Sequence, residues 1–185
     1  AGSAGLLYGT FIGGGTPSVL PAPKIVEIIA AAQARFSLLP ESEITVEVNP
    51  DSVSLGWLQA VRSAGVNRLN IGVQSFHDGH LTRLGRIHSA ARAREAIEVA
   101  RQAGFVNIGL DIIYGLPGQT KEQLQRDLEQ ALAFSPEHFS CYMLTYAPGT
   151  PLTIDRENGR LQNLPDDRAA AFFRIVYQFL QENGY

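Results

Sequence analysis

Apolar positions along this chain alternate between the period of two that is typical of strands and the period of about 3.6 that is typical of helices. Short runs rich in β-branched and aromatic residues predict five strands, at Leu7–Ile12, Ile44–Asn49, Arg68–Val73, Val106–Tyr114 and His138–Tyr146. Apolar residues at helical spacing follow each strand, and the last such segment predicts a helix over Asp166–Glu182. The chain therefore alternates strand and helix from end to end.

Polar residues and glycines mark where several of these helices begin or end. Ser54 can cap one helix, and Thr120 with Gln123 fits the capping box of another. Gly65 fits a C-terminal stop, and Pro40 is predicted to close the first helical unit before the second strand begins.

The spacing of the strands predicts how they are arranged. Successive strands begin about 24 to 38 residues apart, which leaves room for a crossover helix between parallel neighbours. We therefore expect an α/β fold with a parallel sheet. In such a sheet, ligand contacts gather where strands end and helices begin.

The first strand end carries the glycine-rich run Gly13-Gly14-Gly15-Thr16-Pro17. Three glycines allow positive φ and let a ligand approach bare backbone. Pro17 interrupts the dinucleotide fingerprint, and no Gly-Lys-Ser/Thr follows to make a phosphate loop. The alternative is a tight loop without a ligand.

Carboxylates lie at two further strand ends. Glu47 and Asn49 share one face of the second strand, and Asp111 is the only charged residue between Ile108 and Tyr114. Burying a carboxylate is costly unless it is paired, so a ligand or a structural partner is expected. Glu47 could instead be solvated, and Asp111 could be purely structural.

Three other polar residues at these ends are candidates for binding. Gln74 follows the third strand, and Arg86 lies in the segment after it, where a guanidinium could hold a carboxylate or a phosphate. Arg86 could equally be a surface residue. Thr145 lies at the fifth end, where threonine is more often simply a strand former.

The histidines and the cysteine offer weaker candidates. His77 and His80 have a spacing that can bind metal, but no third ligand is evident, so no metal site is predicted. No Ser-His-Asp or Cys-His arrangement can be identified either, so no catalytic residue is assigned. The lone Cys141 lies within a strand and is predicted to pack in the core.

Composition narrows the class of protein. The 185 residues are 45% hydrophobic, and their net charge of −3 gives no electrostatic case for nucleic acid or an anionic membrane. No apolar run approaches the roughly 18 residues that span a bilayer. One cysteine cannot form an internal disulfide or hold an iron–sulfur cluster by itself. We expect a soluble, cytoplasmic protein.

Five motifs occur in an order and spacing that resemble one known family. They are Gly13-Gly14-Gly15-Thr16-Pro17-Ser18, Glu47-Val48-Asn49-Pro50, Asn70-Ile71-Gly72-Val73-Gln74-Ser75-Phe76, Leu84-Gly85-Arg86 and the run from Asp111 to Thr120. The set is similar to the radical S-adenosylmethionine (SAM) family of oxygen-independent coproporphyrinogen III oxidases and HemW-type heme chaperones. The resemblance covers nearly the whole chain.

The resemblance implies a partial (β/α) TIM-like barrel that binds SAM against a [4Fe-4S] cluster. It implies porphyrin or heme as a partner of the intact parent protein, as an oxidoreductase in heme biosynthesis or as a chaperone in heme delivery. Carried over by position, the implied SAM contacts are Gly14, Gly15, Thr16, Glu47, Gln74, Arg86, Asp111 and Thr145.

One departure from the family pattern concerns the cluster. The family holds it with three cysteines in a C-x-x-x-C-x-x-C loop upstream of the glycine-rich strand, and this chain has only Cys141. We therefore expect residues 6–185 to be a radical SAM core truncated at both ends, which lacks the first strand and the cluster loop and is inactive as an enzyme. Residues 1–5 are interpreted as a cloning scar or a cut site.

Two alternatives remain open on the residues alone. One is a (β/α) barrel enzyme that holds a phosphorylated metabolite with the glycine-rich loop and Arg86. The other is a non-catalytic domain that binds a small metabolite.

Overall fold

The computed structural model describes residues 6–162 and 164–185, so the interpretation of residues 1–5 lies outside the described residues. The strands and helices are, in chain order, β1 (Leu6–Ile12), α1 (Ala22–Arg35), β2 (Ser37–Val48), α2 (Leu55–Ser63), β3 (Arg68–Gln74), α3 (Asp78–Arg83), α4 (Ala90–Gln102), β4 (Ile108–Tyr114), α5 (Lys121–Ala133), β5 (His138–Met143), α6 (Pro151–Glu157) and α7 (Asp166–Glu182). Single 3₁₀ turns at Pro17–Val19 and Pro50–Ser52 follow β1 and β2.

The five strands form one parallel sheet in the order β1-β2-β3-β4-β5, which confirms the predicted topology. Thr10 of β1 pairs with Ile44 of β2, and Thr45 of β2 pairs with Arg68 of β3. Each parallel connection passes through at least one helix, as parallel neighbours require.

The prediction for the start of the second strand was wrong. β2 begins at Ser37 and includes Pro40, which had been expected to lie before the strand. The pairing with β1 is irregular here, because Leu7 pairs with Leu38 while Gly9 pairs with Glu43. A proline is tolerated in a strand where the ladder is interrupted, since it has no N–H to donate.

Two other strand limits and one helix also differ from expectation. Val106 is 77% exposed and lies outside β4, and β5 ends at Met143, before Thr145. The unpredicted helix α6 begins after Thr150, whose hydroxyl accepts a hydrogen bond from the Thr153 N–H at 3.4 Å. Its seven residues are too short to show a clear helical period.

The predicted helix caps are confirmed. The Ser54 hydroxyl accepts a hydrogen bond from the Trp57 N–H at 3.3 Å at the start of α2. Thr120 and Gln123 form a complete capping box at the start of α5, with each side chain accepting from the other residue's N–H. These side chains satisfy backbone donors that the first helical turn leaves without partners.

The chain divides into two compact units. The first contains the residues up to Gly72 together with Arg92–Gly109, and the second contains Val73–Ala91 together with Leu110–Tyr185. The first unit buries apolar side chains of α1, β2, α2, β3 and α4, among them Ile25, Val46, Leu58, Leu69 and Ile97. In the second, a core cluster of α5 and α7 side chains packs with Tyr114, namely Leu124, Leu128, Phe172 and Val176. Each unit therefore has its own buried core.

Candidate functional site

In the first unit, the glycine-rich loop after β1 lies against Glu47 of β2. The Gly14 N–H donates a hydrogen bond to Glu47 Oε2 at 3.2 Å. Glu47 is half-buried, while its strand neighbours Val46 and Val48 are buried. The Glu47 carboxylate therefore faces the glycine-rich loop. Both the loop and Glu47 had been named from the sequence as binding candidates.

The three glycines of this loop are required for different reasons, namely close packing at Gly13 and backbone conformation at Gly14 and Gly15. A Cβ on Gly13 would lie 2.6 Å from Phe11 Cε1 and 2.9 Å from Glu47 Oε2, so Gly13 leaves room for the carboxylate. Gly14 and Gly15 have φ of 84° and 56°, and a Cβ on either would meet nothing within 4 Å. The backbone at Gly14 and Gly15 is thus open to a ligand, and positive φ favours glycine there.

Thr16 and Asn49 support backbone turns in the first unit. The Val19 N–H donates to the Thr16 carbonyl at 3.1 Å, which closes the turn after the loop. The Asn49 side chain accepts from the Asp51 N–H at 3.1 Å, and the Asn49 N–H donates to the Ser18 hydroxyl at 2.9 Å. Ser18 therefore ties the segment after β1 to the end of β2, a contact that sequence reasoning missed.

In the second unit, Gln74 ends β3 in an unusual backbone conformation. Its φ is 69°, one of two positive values at non-glycine residues in the described chain. The Ser75 N–H donates to the Val73 carbonyl at 2.9 Å, which closes a γ-turn around Gln74. Gln74 is 7% exposed. A strained residue at a strand end is a feature of binding sites.

Arg86 and Asp111 lie close enough in the second unit to interact electrostatically. Partial burial lowers the pKa of the Arg86 guanidinium, and the Asp111 carboxylate opposes that shift. Burial, with a smaller contribution from Asp111, raises the pKa of the Cys141 thiol to about 12. The Asp111 charge thus lies near both residues. The sequence had named Arg86 and Asp111 separately, and the structure places them within electrostatic range of each other.

Thr145 is exposed and lies two residues beyond the end of β5. The segment before it is fixed, because the Leu144 N–H donates to the Tyr114 carbonyl at 2.9 Å. Of the eight residues named from the sequence, Thr145 is the one placed outside the strand that was predicted to carry it.

The loop from β4 to α5, Gly115–Thr120, is held by two arginines and by its own glutamine. Gln119 Oε1 accepts from the Gly115 N–H at 2.8 Å and from the Leu116 N–H at 3.3 Å. Arg83 donates to the Pro117 carbonyl, and Arg168 donates to the Gln119 carbonyl at 3.1 Å. Four hydrogen bonds therefore hold this turn directly after the end of β4.

The structure also brings together Ser75, His80 and Asp127, a group that sequence reasoning did not identify. The Ser75 hydroxyl donates to Asp127 Oδ2 at 2.8 Å, and His80 Nδ1 lies 3.4 Å from the same hydroxyl. Ser75 is fully buried, and the aspartate bonds to the serine instead of the histidine. The order of contacts and the burial differ from those of a nucleophilic triad.

The histidine pair is in contact, with the rings of His77 and His80 5.3 Å apart at the centroids. Among the described residues, no group of three or more His, Cys, Asp and Glu side chains is placed to hold a metal ion. In the same residues, no helix combines the length and apolar character needed to cross a membrane.

Comparison with known families identifies the class of the chain. The family model of the radical SAM superfamily matches residues 2–131. The chain belongs to the radical SAM superfamily. The resemblance drawn from the five sequence motifs is therefore confirmed.

Individual relatives place this radical SAM chain more narrowly. It is similar to the heme chaperone HemW of Haemophilus influenzae, with 40% identity over 180 residues, which cover 97% of this chain and 46% of the relative. It is 41% identical over 176 residues to the heme chaperone HemW of Escherichia coli, covering 95% and 45%. The chain thus spans just under half the length of these relatives.

The fold of this radical SAM chain is similar to that of a solved enzyme. The structure of the coproporphyrinogen III oxidase HemN from Escherichia coli, a radical SAM enzyme, matches with a TM-score of 0.82 and 26% identity. The match covers 97% of this chain and 41% of that one. The predicted radical SAM fold, a parallel α/β sheet, is therefore confirmed.

The family implies SAM and a [4Fe-4S] cluster, and the two groups fit these residues differently. Within the second unit, Arg86 suits the carboxylate of SAM, and Asp111 suits its ammonium or ribose hydroxyls. Within the first unit, Glu47 is a carboxylate that suits the same kinds of group. The open backbone at Gly14 adds space for a ligand. The cluster does not fit, because it needs several thiolates and the chain's one cysteine is held protonated by burial.

Proposed function

We propose that this chain binds SAM and forms the SAM-binding core of a heme-handling radical SAM protein. The observation that carries the proposal is the partly buried Arg86 within electrostatic range of Asp111, which lies in the parallel strand β4 of a chain of this superfamily. A guanidinium and a carboxylate together suit a zwitterionic ligand.

The proposed roles follow the chemistry of each side chain. In the second unit, Arg86 binds the carboxylate of SAM, and Asp111 accepts hydrogen bonds from its ammonium or ribose hydroxyls. In the first unit, Glu47 is the candidate acceptor for such groups. Gln74 offers an amide to the same polar groups, and Thr145 offers a hydroxyl. The backbone of Gly14, Gly15 and Thr16 lets the ligand approach closely. When bound elsewhere in a radical SAM protein, the cluster supplies an electron to SAM, and the roles proposed here concern SAM binding alone.

Titration of the chain with SAM tests this function, with NMR shifts at the Gly14 and Gly15 amides and calorimetry as readouts. A charge-assisted hydrogen bond contributes about 1.5–3 kcal/mol, so Arg86→Ala should weaken SAM binding about ten- to a hundredfold. Asp111→Asn should weaken it more if the carboxylate meets the ammonium than if it meets hydroxyls. Arg174→Ala removes an exposed arginine of α7 and serves as the matched control.

Three results would count against SAM binding. The first is the absence of shifts at millimolar SAM, and the second is wild-type affinity that neither Arg86→Ala nor Asp111→Asn changes. The third is competition by inorganic phosphate at the Gly14 amide, which would favour the alternative of a barrel enzyme for a phosphorylated metabolite.

We further propose that the protein carrying this chain delivers heme and is not a coproporphyrinogen oxidase. The support is the 40% identity with a protein named heme chaperone, against 26% with a coproporphyrinogen III oxidase. A full-length protein carrying this chain should shift the Soret band of added heme and should not decarboxylate coproporphyrinogen III. Decarboxylation with SAM and a reductant would reverse this assignment and make it an oxidoreductase of porphyrin biosynthesis.

The cytoplasm is the compartment that we propose for this function. The single cysteine gives no sign of disulfide stabilisation, which is typical of reducing compartments. Fractionation of cells that produce the protein would test it, since recovery in the membrane or secreted fraction would contradict the proposal.

A further inference from the structure

The turn that presents Gln74 is intrinsically unfavourable. A non-glycine residue with φ of 69° carries a steric cost, and the γ-turn closed by the Ser75 N–H and the Val73 carbonyl adds to it. Such a turn persists only where surrounding contacts fix it. The residues that fix this turn all lie in the second unit.

Asp127 of α5 makes two hydrogen bonds to the residues that follow Gln74. Its Oδ2 accepts from the Ser75 hydroxyl at 2.8 Å, and its Oδ1 accepts from the Phe76 N–H at 2.7 Å. Both distances lie within the normal range for hydrogen bonds. The Asp127 carboxylate thus accepts hydrogen bonds from one side chain and one backbone amide immediately after Gln74.

The Ser75 hydroxyl has its full set of partners. It donates to Asp127, accepts from the His77 N–H at 3.1 Å, and has His80 Nδ1 at 3.4 Å. A hydroxyl offers one donor and two acceptor sites, so His80 is expected to carry its proton on Nδ1. The direction of each hydrogen bond at the Ser75 hydroxyl is then fixed.

The position of Asp127 is costly for the helix that carries it. It is fully buried on the face of α5 that also carries the core residues Leu124 and Leu128. A carboxyl group at such a place is tolerated when hydrogen bonds compensate for the lost hydration. Packing alone would favour an apolar residue here, and the bonds to the turn account for a carboxylate instead.

We propose that Asp127 is the positioning residue for Gln74, acting through Ser75 and Phe76. It does not touch the ligand. It fixes the backbone from which the Gln74 side chain reaches the proposed SAM site. The proposal rests on the proposed function only where it concerns SAM, because the effect of Asp127 on the turn can be measured without a ligand.

The test compares Asp127→Asn with Leu128→Ala, a buried substitution in the same helix that leaves these bonds intact. Hydrogen exchange of the ligand-free chain is measured at the Phe76 and His77 amides relative to global unfolding. Asp127→Asn should speed exchange at these amides about ten- to a hundredfold, and Leu128→Ala should not beyond its effect on global stability. Ser75→Ala is a milder second variant, in case the first does not fold.

The SAM arm uses a double-mutant cycle. Asp127→Asn should weaken SAM binding about as much as Gln74→Ala does, and adding it to Gln74→Ala should change the affinity little further. A purely structural aspartate would not show this dependence on Gln74.

The exchange and binding results test the positioning role of Asp127 and the proposed SAM binding separately. Unchanged exchange at Phe76 in both Asp127→Asn and Ser75→Ala would overturn the positioning role. Faster exchange in Asp127→Asn with unchanged SAM affinity would show that Asp127 holds the turn but that the turn does not serve SAM binding. That result would also overturn the positioning role. If the wild type binds no SAM, the proposed function fails, and the exchange arm alone decides whether Asp127 holds the turn.

Discussion

Three loops that follow strands are each held by a buried side chain. In each case the side chain accepts a hydrogen bond from a backbone N–H of the loop. Ser18 accepts from the Asn49 N–H after β2, Asp127 accepts from the Phe76 N–H after β3, and Gln119 accepts from the Gly115 N–H after β4. Each acceptor is at most 2% exposed. A buried hydrogen bond is costly to break, so these loops are more fixed than their irregular backbone implies.

The buried His80 should make stability depend on pH. Burial is the main cause of its pKa lying below the ordinary value of 6.5, and His77 and Arg83 lower it further, while a hydrogen bond with Gln123 acts in the opposite direction. As the pH falls below 6.5, the unfolded chain takes up a proton that the folded chain does not. The free energy of unfolding should therefore decrease until the pH reaches the folded pKa.

Urea unfolding at a series of pH values between about 7.5 and 5 measures this effect. His80→Gln should flatten the dependence in that window, whereas His138→Gln, at an exposed position of β5, should leave it in place. An equal slope in His80→Gln and the wild type would show that another group is responsible.

The sequence named candidate residues near the strands but missed the residues that support them. Glu47, Arg86 and Asp111 were named because parallel sheets bind ligands where strands end, and their roles stay predictions. Asp127 was missed because its partners are 51 and 52 residues away in the chain. A signal was present, since an aspartate between Leu124 and Leu128 on one helical face is a charge where an apolar residue is expected.

Among the elements, α5 has the best-defined start, and its cap should contribute measurably. Thr120→Ala removes the acceptor for the Gln123 N–H, and loss of such a cap costs about 1 kcal/mol. Denaturant unfolding should show that decrease in the free energy of unfolding. Gln125→Ala, which removes an exposed contact with Glu129 in the same helix, should cost less than about 0.5 kcal/mol. Equal effects of the two substitutions would contradict the cap.

Local sequence signals predicted the helices and their caps. They failed for strands whose first or last residue depends on pairing with a neighbouring strand. The early start of β2 depends on pairing with β1 across an irregular register, which the sequence around Pro40 does not reveal. β5 ends before Thr145 although the residues up to Tyr146 are good strand formers. The seven residues of α6 rely on the Thr150 cap more than on any periodic pattern.

For the molecule as a whole, the exposed edges of the sheet should promote self-association. β1 is an edge strand of the described sheet, and it carries Tyr8 at 75% and Phe11 at 57% exposure. Unpaired edges with apolar side chains favour pairing with another chain. We expect concentration-dependent association in sedimentation velocity.

Tyr8→Lys tests whether association uses this edge. Burying a large apolar side chain contributes about 1.5–3 kcal/mol, so the substitution should weaken association about tenfold or more. Val106→Lys places the same charge at an exposed apolar residue before β4, away from the strand edges, and should have little effect. Equal weakening by both variants would indicate a general effect of charge.

The bonds from Asp127 to the turn after Gln74 also bear on the order of folding. They join residues that lie 51 and 52 positions apart, so loop-closure entropy opposes their formation until β3, β4 and α5 have assembled. We therefore expect the strained turn to acquire its final conformation late in folding. In kinetic terms, the proposed ligand-binding residue Gln74 is then set in place only after the scaffold beneath it is complete.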